Sequence, residues 1–128
     1  MTEPVWVPLA AAVVIHDRQI ALHGGGSGTR DQALLEMGWA RAMNLAAYTE
    51  AELAEIAAAY VLGIAKAHAF VDGNKRTAFV MALTFLRLND FAFRPSPVEG
   101  VRMIDDLAAG QVSQGEFAKW LANGMTPI

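Results

Sequence analysis

The chain has 128 residues, of which 54% are hydrophobic and 18% charged, with a net charge of −3 and no cysteine. That length fits one domain over residues 1–128 with a core of its own, and the absence of cysteine excludes a disulfide framework and a thiolate-bound metal. Ten Lys and Arg scattered along an acidic chain do not make the concentrated basic face that direct nucleic-acid binding needs.

An apolar stretch at residues 5–15 comes first, with no basic region before it and with Asp17 and Arg18 closing it. It is shorter than the roughly 20 residues of a membrane span and lacks the flanks of an export signal. It reads as part of a core helix over residues 8–22, and the chain as a cytoplasmic protein with no membrane partner. The GGGSG run at residues 24–28 ends that helix, because glycine is too flexible to stay helical there. No Gly-Lys-Ser/Thr follows, so the run is not a P-loop. It reads either as a mobile flap or as an ordinary flexible connection, and it can hold a short extended piece. Thr29 then caps a second helix over residues 30–42, with Gln32 three residues on.

Thr49 and Glu52 form a capping box for a third helix reaching about residue 67. Its positions Leu53, Ile56, Tyr60, Ile64 and Ala67 make an apolar stripe that Ala57, Ala58 and Val61 widen almost to the full circumference. A helix apolar nearly all round is a central, buried one. A loop at residues 68–73 follows, then a fourth helix over residues 74–88, again apolar around its axis. Phe91 to Phe93 suits a short extended piece. Ser96, Pro97 and Glu99 signal a further helix ending at Gly110, and Ser113 with Glu116 a last one to about residue 122. Six helices and no convincing strand predict an all-α bundle. Trp6, Trp39 and Trp120 read as core or interface anchors. His16 and His23 share a helical face, but a zinc site needs three or four protein ligands, so both read as surface or capping histidines.

The loop between the two apolar helices is polar and charged, which is costly beside a core unless its groups are satisfied. His68 ends one helix, and Asp72 precedes the next. Gly73 permits a tight turn, and Asn74, Lys75 and Arg76 occupy the next helix's first turn. A helix start attracts phosphate through its free N–H groups and its dipole. Lys75 and Arg76 are electrostatically misplaced there unless an anion binds. Asp72 suits Mg²⁺, which takes a carboxylate together with substrate phosphates. His68 titrates near neutrality and can serve as a base. Taken residue by residue, an active site and an ordinary Asp-Gly-Asn turn both remain open.

The whole string HAFVDGNKRTA, residues 68–78, resembles the signature H-x-F-x-D/E/N-A/G-N-x-R of the Fic/Doc family, matching at His68, Phe70, Asp72, Gly73, Asn74 and Arg76. Within that family it is similar to the death-on-curing toxins, which carry N-K-R, as at Asn74, Lys75 and Arg76, where adenylyl transferases carry N-G-R. The adenylyl transferases also have a second Arg three residues on, where this chain has Phe79. The likeness extends to IALHGGGSGTRD at residues 20–31 and to LAEIAAAYVLGIAKAHAFVDGNKRTAF at residues 53–79, and in order it covers about residues 13–89. Residues 34–44 depart from the pattern, with Gly38 and Trp39 inside a helix, where packing beside the nucleotide and the target-docking surface would differ.

This resemblance implies a Fic/Doc fold and a toxin that transfers the γ-phosphate of ATP, or another nucleoside triphosphate, to a protein hydroxyl, blocking translation. The expected target is a threonine of elongation factor Tu. It implies His68 as general base and Asp72 as the Mg²⁺ ligand. Gly73, Asn74, Lys75 and Arg76 become the phosphate-binding residues, and Phe70 an inward-pointing anchor of the loop. The alternatives are a protein adenylyl transferase and a non-catalytic module that binds an antitoxin and adjusts its grip on an operator. Self-inhibited relatives carry S/T-x-x-x-E-G/N, which these residues lack: Ser96 to Glu99 is one residue short, Thr49 meets Leu53, and Ser113–Glu116 leads to Phe117. Inhibition is therefore expected in trans, by a helix of a Phd-like antitoxin.

Overall fold

Glycine and alanine let the central helices approach closely. In the computed structural model, which describes residues 3–128, six α-helices and one pair of very short strands follow one another. They are α1 Leu9–His23, α2 Gln32–Tyr48, α3 Leu53–Ala67, α4 Asn74–Leu88, β1 Phe91–Ala92, α5 Pro97–Ala108, α6 Gln114–Gly124 and β2 Thr126–Pro127. The all-α architecture expected from the sequence is the one observed. No helix among the described residues is long and apolar enough to cross a membrane.

The centre is α3, packed against α2, α4, α5 and α6. Ala57, Ala58, Ala59, Tyr60 and Val61 are all fully buried, as the near-continuous apolar circumference predicts. Gly63 on α3 meets Gly38 on α2 so closely that a β-carbon on either would run into the other's carbonyl oxygen. The departure at residues 34–44 thus has a packing role. Gly38 brings the helices together, and the Trp39 indole N–H donates to the Val7 carbonyl at 2.7 Å. Tyr60 accepts from the Val7 N–H at 3.2 Å, and burial raises its phenol pKa above the usual 10.0.

Several helix ends differ from the sequence expectation. Asp31, not Thr29, caps α2, its carboxylate accepting from the Leu34 N–H at 3.0 Å. The helix runs on to Tyr48 rather than stopping near residue 42, because the intervening Ala, Leu and Met residues favour helix. Thr49 closes α2 instead of opening α3, its hydroxyl donating to the Leu45 carbonyl. The capping box of α3 is built by Glu52 and Glu55. Ser96 caps α5 from one side only, because the Glu99 carboxylate is taken by the Trp120 indole N–H. The Ser113–Glu116 box is complete. The extended piece at Phe91 forms the two-residue ladder with Thr126 and Pro127.

Candidate active site

The site is assembled where the end of α3 turns into α4. His68 leaves α3 in the left-handed region, at φ 50° and ψ 37°, a conformation that non-glycine residues adopt at some cost and His more readily than most. Arg30 holds that turn: its guanidinium donates to the His68 carbonyl through Nε at 3.1 Å and through Nη2. Ala69 and Phe70 then enter the core, each 1% exposed. The Ala69 carbonyl accepts from the amides of Arg30 at 2.7 Å and Asp31 at 3.0 Å, and the Val71 amide donates to Gly28 at 3.1 Å. Thr29 and Phe70 form an isolated antiparallel bridge. The glycine run is therefore the lead-in to a short extended piece that pairs with the loop, not a free connection.

Asn74 clamps the same loop from α4. Its side-chain carbonyl accepts from the Phe70 N–H at 3.0 Å and its amide donates to the Phe70 carbonyl at 3.1 Å. The side chain is thereby engaged with backbone. Gly73 sits at φ 74° as the N-cap of α4, and no side chain caps that end. Nor does any acidic residue occupy the first turn. A helix start with no side-chain cap and no carboxylate in its first turn is a place for an anion from outside.

Charged residues stand in sequence on both sides of this helix start, His68 and Asp72 before it and Lys75 and Arg76 in its first turn. The imidazole of His68 and the carboxylate of Asp72 are exposed. Asp72 accepts from the Gly73 N–H through Oδ1 at 2.8 Å, and its Oδ2 has only a long 3.4 Å contact with the Gly26 N–H. A β-carbon on Gly25 would stand 2.6 Å from that oxygen, so the glycine flap leaves room beside the carboxylate. This half-free, solvent-facing carboxylate fits a hard cation such as Mg²⁺. Arg76 donates to the Gly24 carbonyl at 3.1 Å. Lys75 pairs with Asp105 of α5 at 3.1 Å.

Beyond Lys75 and Arg76 lies a groove of about 670 Å³ between α4, the β1–α5 connection and α5, walled by Phe79, Leu83, Phe93, Val101 and Ile104. His68, Phe70, Asp72, Gly73, Asn74, Lys75 and Arg76 thus all lie on one loop and the helix start that follows it. Sequence reasoning missed Arg30, Asp105 and His16. Against the surface reading, His16 is buried at 1% exposure, stacked on Phe70. Its position inside an apolar helical run was the available signal. His23 is exposed, and no metal-holding cluster of His, Asp or Glu exists among the described residues.

Comparison with known proteins places these features in context. A family model described as the Fic/DOC family matches residues 6–86. That span takes in the flap, the loop and most of α4, and leaves out α5, the far wall of the groove. The chain is similar to the protein kinase doc of Escherichia phage P1, 36% identical over 110 residues, covering 85% of this chain and 86% of that protein. It is also similar to the toxin Doc of Mycolicibacterium smegmatis, 43% identical over 68 residues, which span 52% of each.

Proposed function

Because this chain belongs to the Fic/DOC family, we propose that it is a toxin that transfers the γ-phosphoryl group of a nucleoside triphosphate, ATP foremost, to a protein hydroxyl in the cytoplasm. The acceptor suggested by the family resemblance is a threonine of elongation factor Tu, whose modification would stop translation. The observation that carries the reading is the start of α4 with no side-chain cap, His68 and Asp72 lying on the loop before it and Lys75 and Arg76 in its first turn. The similarity to a protein kinase and to a toxin supports the same class of chemistry.

In this reading His68 accepts the proton of the attacking hydroxyl. The freed oxygen attacks the γ-phosphorus, the bond from that phosphorus to the β-bridging oxygen breaks, and the nucleoside diphosphate leaves with the bridging oxygen's electron pair. The N–H groups at the α4 start, with Lys75 and Arg76, hold the phosphates and stabilise the charge that develops. Mg²⁺ at Asp72 would supply neutralisation of the phosphate charge. Arg30 and Asn74 keep the loop that carries His68 and Asp72 in place.

Adenylyl transfer would need the outer phosphates held away from the base. The two features that serve this in adenylyl transferases are replaced here by Lys75 and by Phe79, an aromatic wall of the groove. The test is incubation of the protein with elongation factor Tu and ATP labelled separately at the α- and γ-phosphorus. Label from the γ-position alone is expected in the acceptor. Label from the α-position would replace this reading with adenylyl transfer.

A further inference from the structure

His16 lies on α1, 56 residues before the loop it touches. Its ring stacks on Phe70 with centroids 3.9 Å apart and planes 4° from parallel. Its Nε2 is 2.7 Å from the Asp72 carbonyl oxygen. A β-carbon on Gly73 would stand 3.8 Å from its Cδ2. One buried ring thus underlies Phe70, the Asp72 carbonyl and Gly73.

The hydrogen bond fixes the tautomer. A carbonyl oxygen only accepts, so Nε2 carries the proton. Nδ1 is buried and without a hydrogen-bond partner among the described residues, the Asp17 carboxylate standing 3.7 Å away. A buried unsatisfied nitrogen is costly, and packing alone would be served as well by a phenyl ring. What the imidazole adds is the Nε2–H donor.

That donor acts on one peptide plane. The carbonyl that accepts from His16 belongs to the peptide joining Asp72 to Gly73. The N–H of the same peptide donates to Oδ1 of Asp72 at 2.8 Å. Fixing the carbonyl end of the plane therefore aims its N–H end, and that N–H holds the Asp72 carboxylate.

We propose that His16 is a positioning residue of this site: through the Asp72–Gly73 peptide it sets the direction of the Asp72 carboxylate and the entry angle of α4. It touches no reacting atom. Only the activity arm of the following test rests on the phosphotransfer reading; the exchange arm does not.

The experiment compares His16→Phe, which keeps the stack and loses the donor, with His16→Gln, which keeps a donor and loses the stack. Amide hydrogen exchange is measured over residues 69–73. In His16→Phe it should quicken about tenfold, the loss expected of one hydrogen bond, with the helices as protected as in the wild type. His16→Gln should restore wild-type exchange. In the activity arm, kcat should fall and the half-saturating Mg²⁺ concentration rise about tenfold in His16→Phe, both restored in His16→Gln. Wild-type exchange in His16→Phe, or exchange as fast in His16→Gln, would overturn the proposal, because the ring would then act by packing alone. A wild-type chain without phosphotransfer would sink the functional reading and leave the exchange arm to decide this one. Should His16→Phe not fold, the ¹⁵N shifts of the wild-type imidazole decide: a proton on Nε2 is expected, and a proton on Nδ1 alone overturns the assignment.

Discussion

Asn74 closes on both backbone groups of Phe70, accepting from its N–H at 3.0 Å and donating to its carbonyl at 3.1 Å. The first residue of α4 thereby holds the middle of the loop that precedes it. Removing both bonds in Asn74→Ala should cost about 1–3 kcal/mol, at roughly 0.5–1.5 for each. Asn74→Asp keeps the acceptor but turns a second carboxylate oxygen toward the Phe70 carbonyl, so it should be no more stable than the alanine variant. Denaturant midpoints of the two variants check the order, and a fully stable Asn74→Asp would show that the clamp is not needed.

His68 combines an exposed imidazole with a left-handed backbone. His68→Ala should lower transfer about 10²- to 10⁴-fold, the usual contribution of a general base. Asn visits the left-handed region readily and is a poor base. His68→Asn should therefore match the loss of activity while keeping the thermal midpoint of the wild type. Near wild-type transfer from either folded variant would remove His68 from its role.

Gly63 on α3 decides between two effects of opposite sign. Gly→Ala in an exposed helix gains about 1 kcal/mol of helix propensity. Here the added methyl would meet the Gly38 carbonyl oxygen across the helix crossing, and overpacking of this kind costs about 1–3 kcal/mol. Backbone cannot swing aside as a side chain can, so the clash should win. Gly63→Ala is expected to be destabilised in urea, and a stabilised variant would show that α2 and α3 can part without loss.

The local half of this architecture was legible in the sequence. The α4 bounds at Asn74 and Leu88 follow from Gly73 before it and from the apolar run that ends there. Cap choice was less so. Thr29 and Thr49 are good cap residues, but each lost to a carboxylate two or three positions on, at Asp31 and Glu52. The loop residues of the site sit together because they are adjacent in sequence. Arg30 and His16 reach the same loop across 38 and 56 residues, and no periodicity encodes such a contact. Asp105 was invisible for the same reason, since its pairing with Lys75 depends on where α5 docks.

Lys75 and Asp105 are each 53% exposed, and pairs of this kind contribute about 0.2–1 kcal/mol. Asp105→Ala should therefore change the urea midpoint little. It should tighten nucleotide binding at low salt, because Lys75 is then available to the phosphates without a competing carboxylate. Calorimetric titration with ATP in low and high salt checks this, with the difference shrinking as salt screens the charges. Weaker binding in Asp105→Ala would mean that Asp105 holds Lys75 in a productive position.

If the chain acts as the toxin proposed above, the groove beside the site bears on how it is silenced. Its lining includes Phe79, Leu83, Phe93, Val101 and Ile104, together with Lys75, Arg76, Arg94 and Asp105. A largely apolar trough with Arg76 in its lining suits an amphipathic helix that lays its apolar face down and brings a carboxylate to Arg76. These residues lack the S/T-x-x-x-E-G/N pattern that would provide such a helix in cis. In the proposed reading, a separate antitoxin that orders a flexible tail on contact fits both facts. Expression of this chain alone should arrest growth, and co-expression of the small partner should restore it through direct binding. Val101 is 64% exposed, so Val101→Asp can be introduced without disturbing the core. It should weaken partner binding tenfold or more, since burying a valine contributes about 1.5–3 kcal/mol and a desolvated carboxylate opposes it further. Growth arrest should then persist even when the partner is present. Full-rate growth with soluble, folded protein and no partner would remove the need for silencing. Undiminished rescue of Val101→Asp would place the partner elsewhere on the molecule.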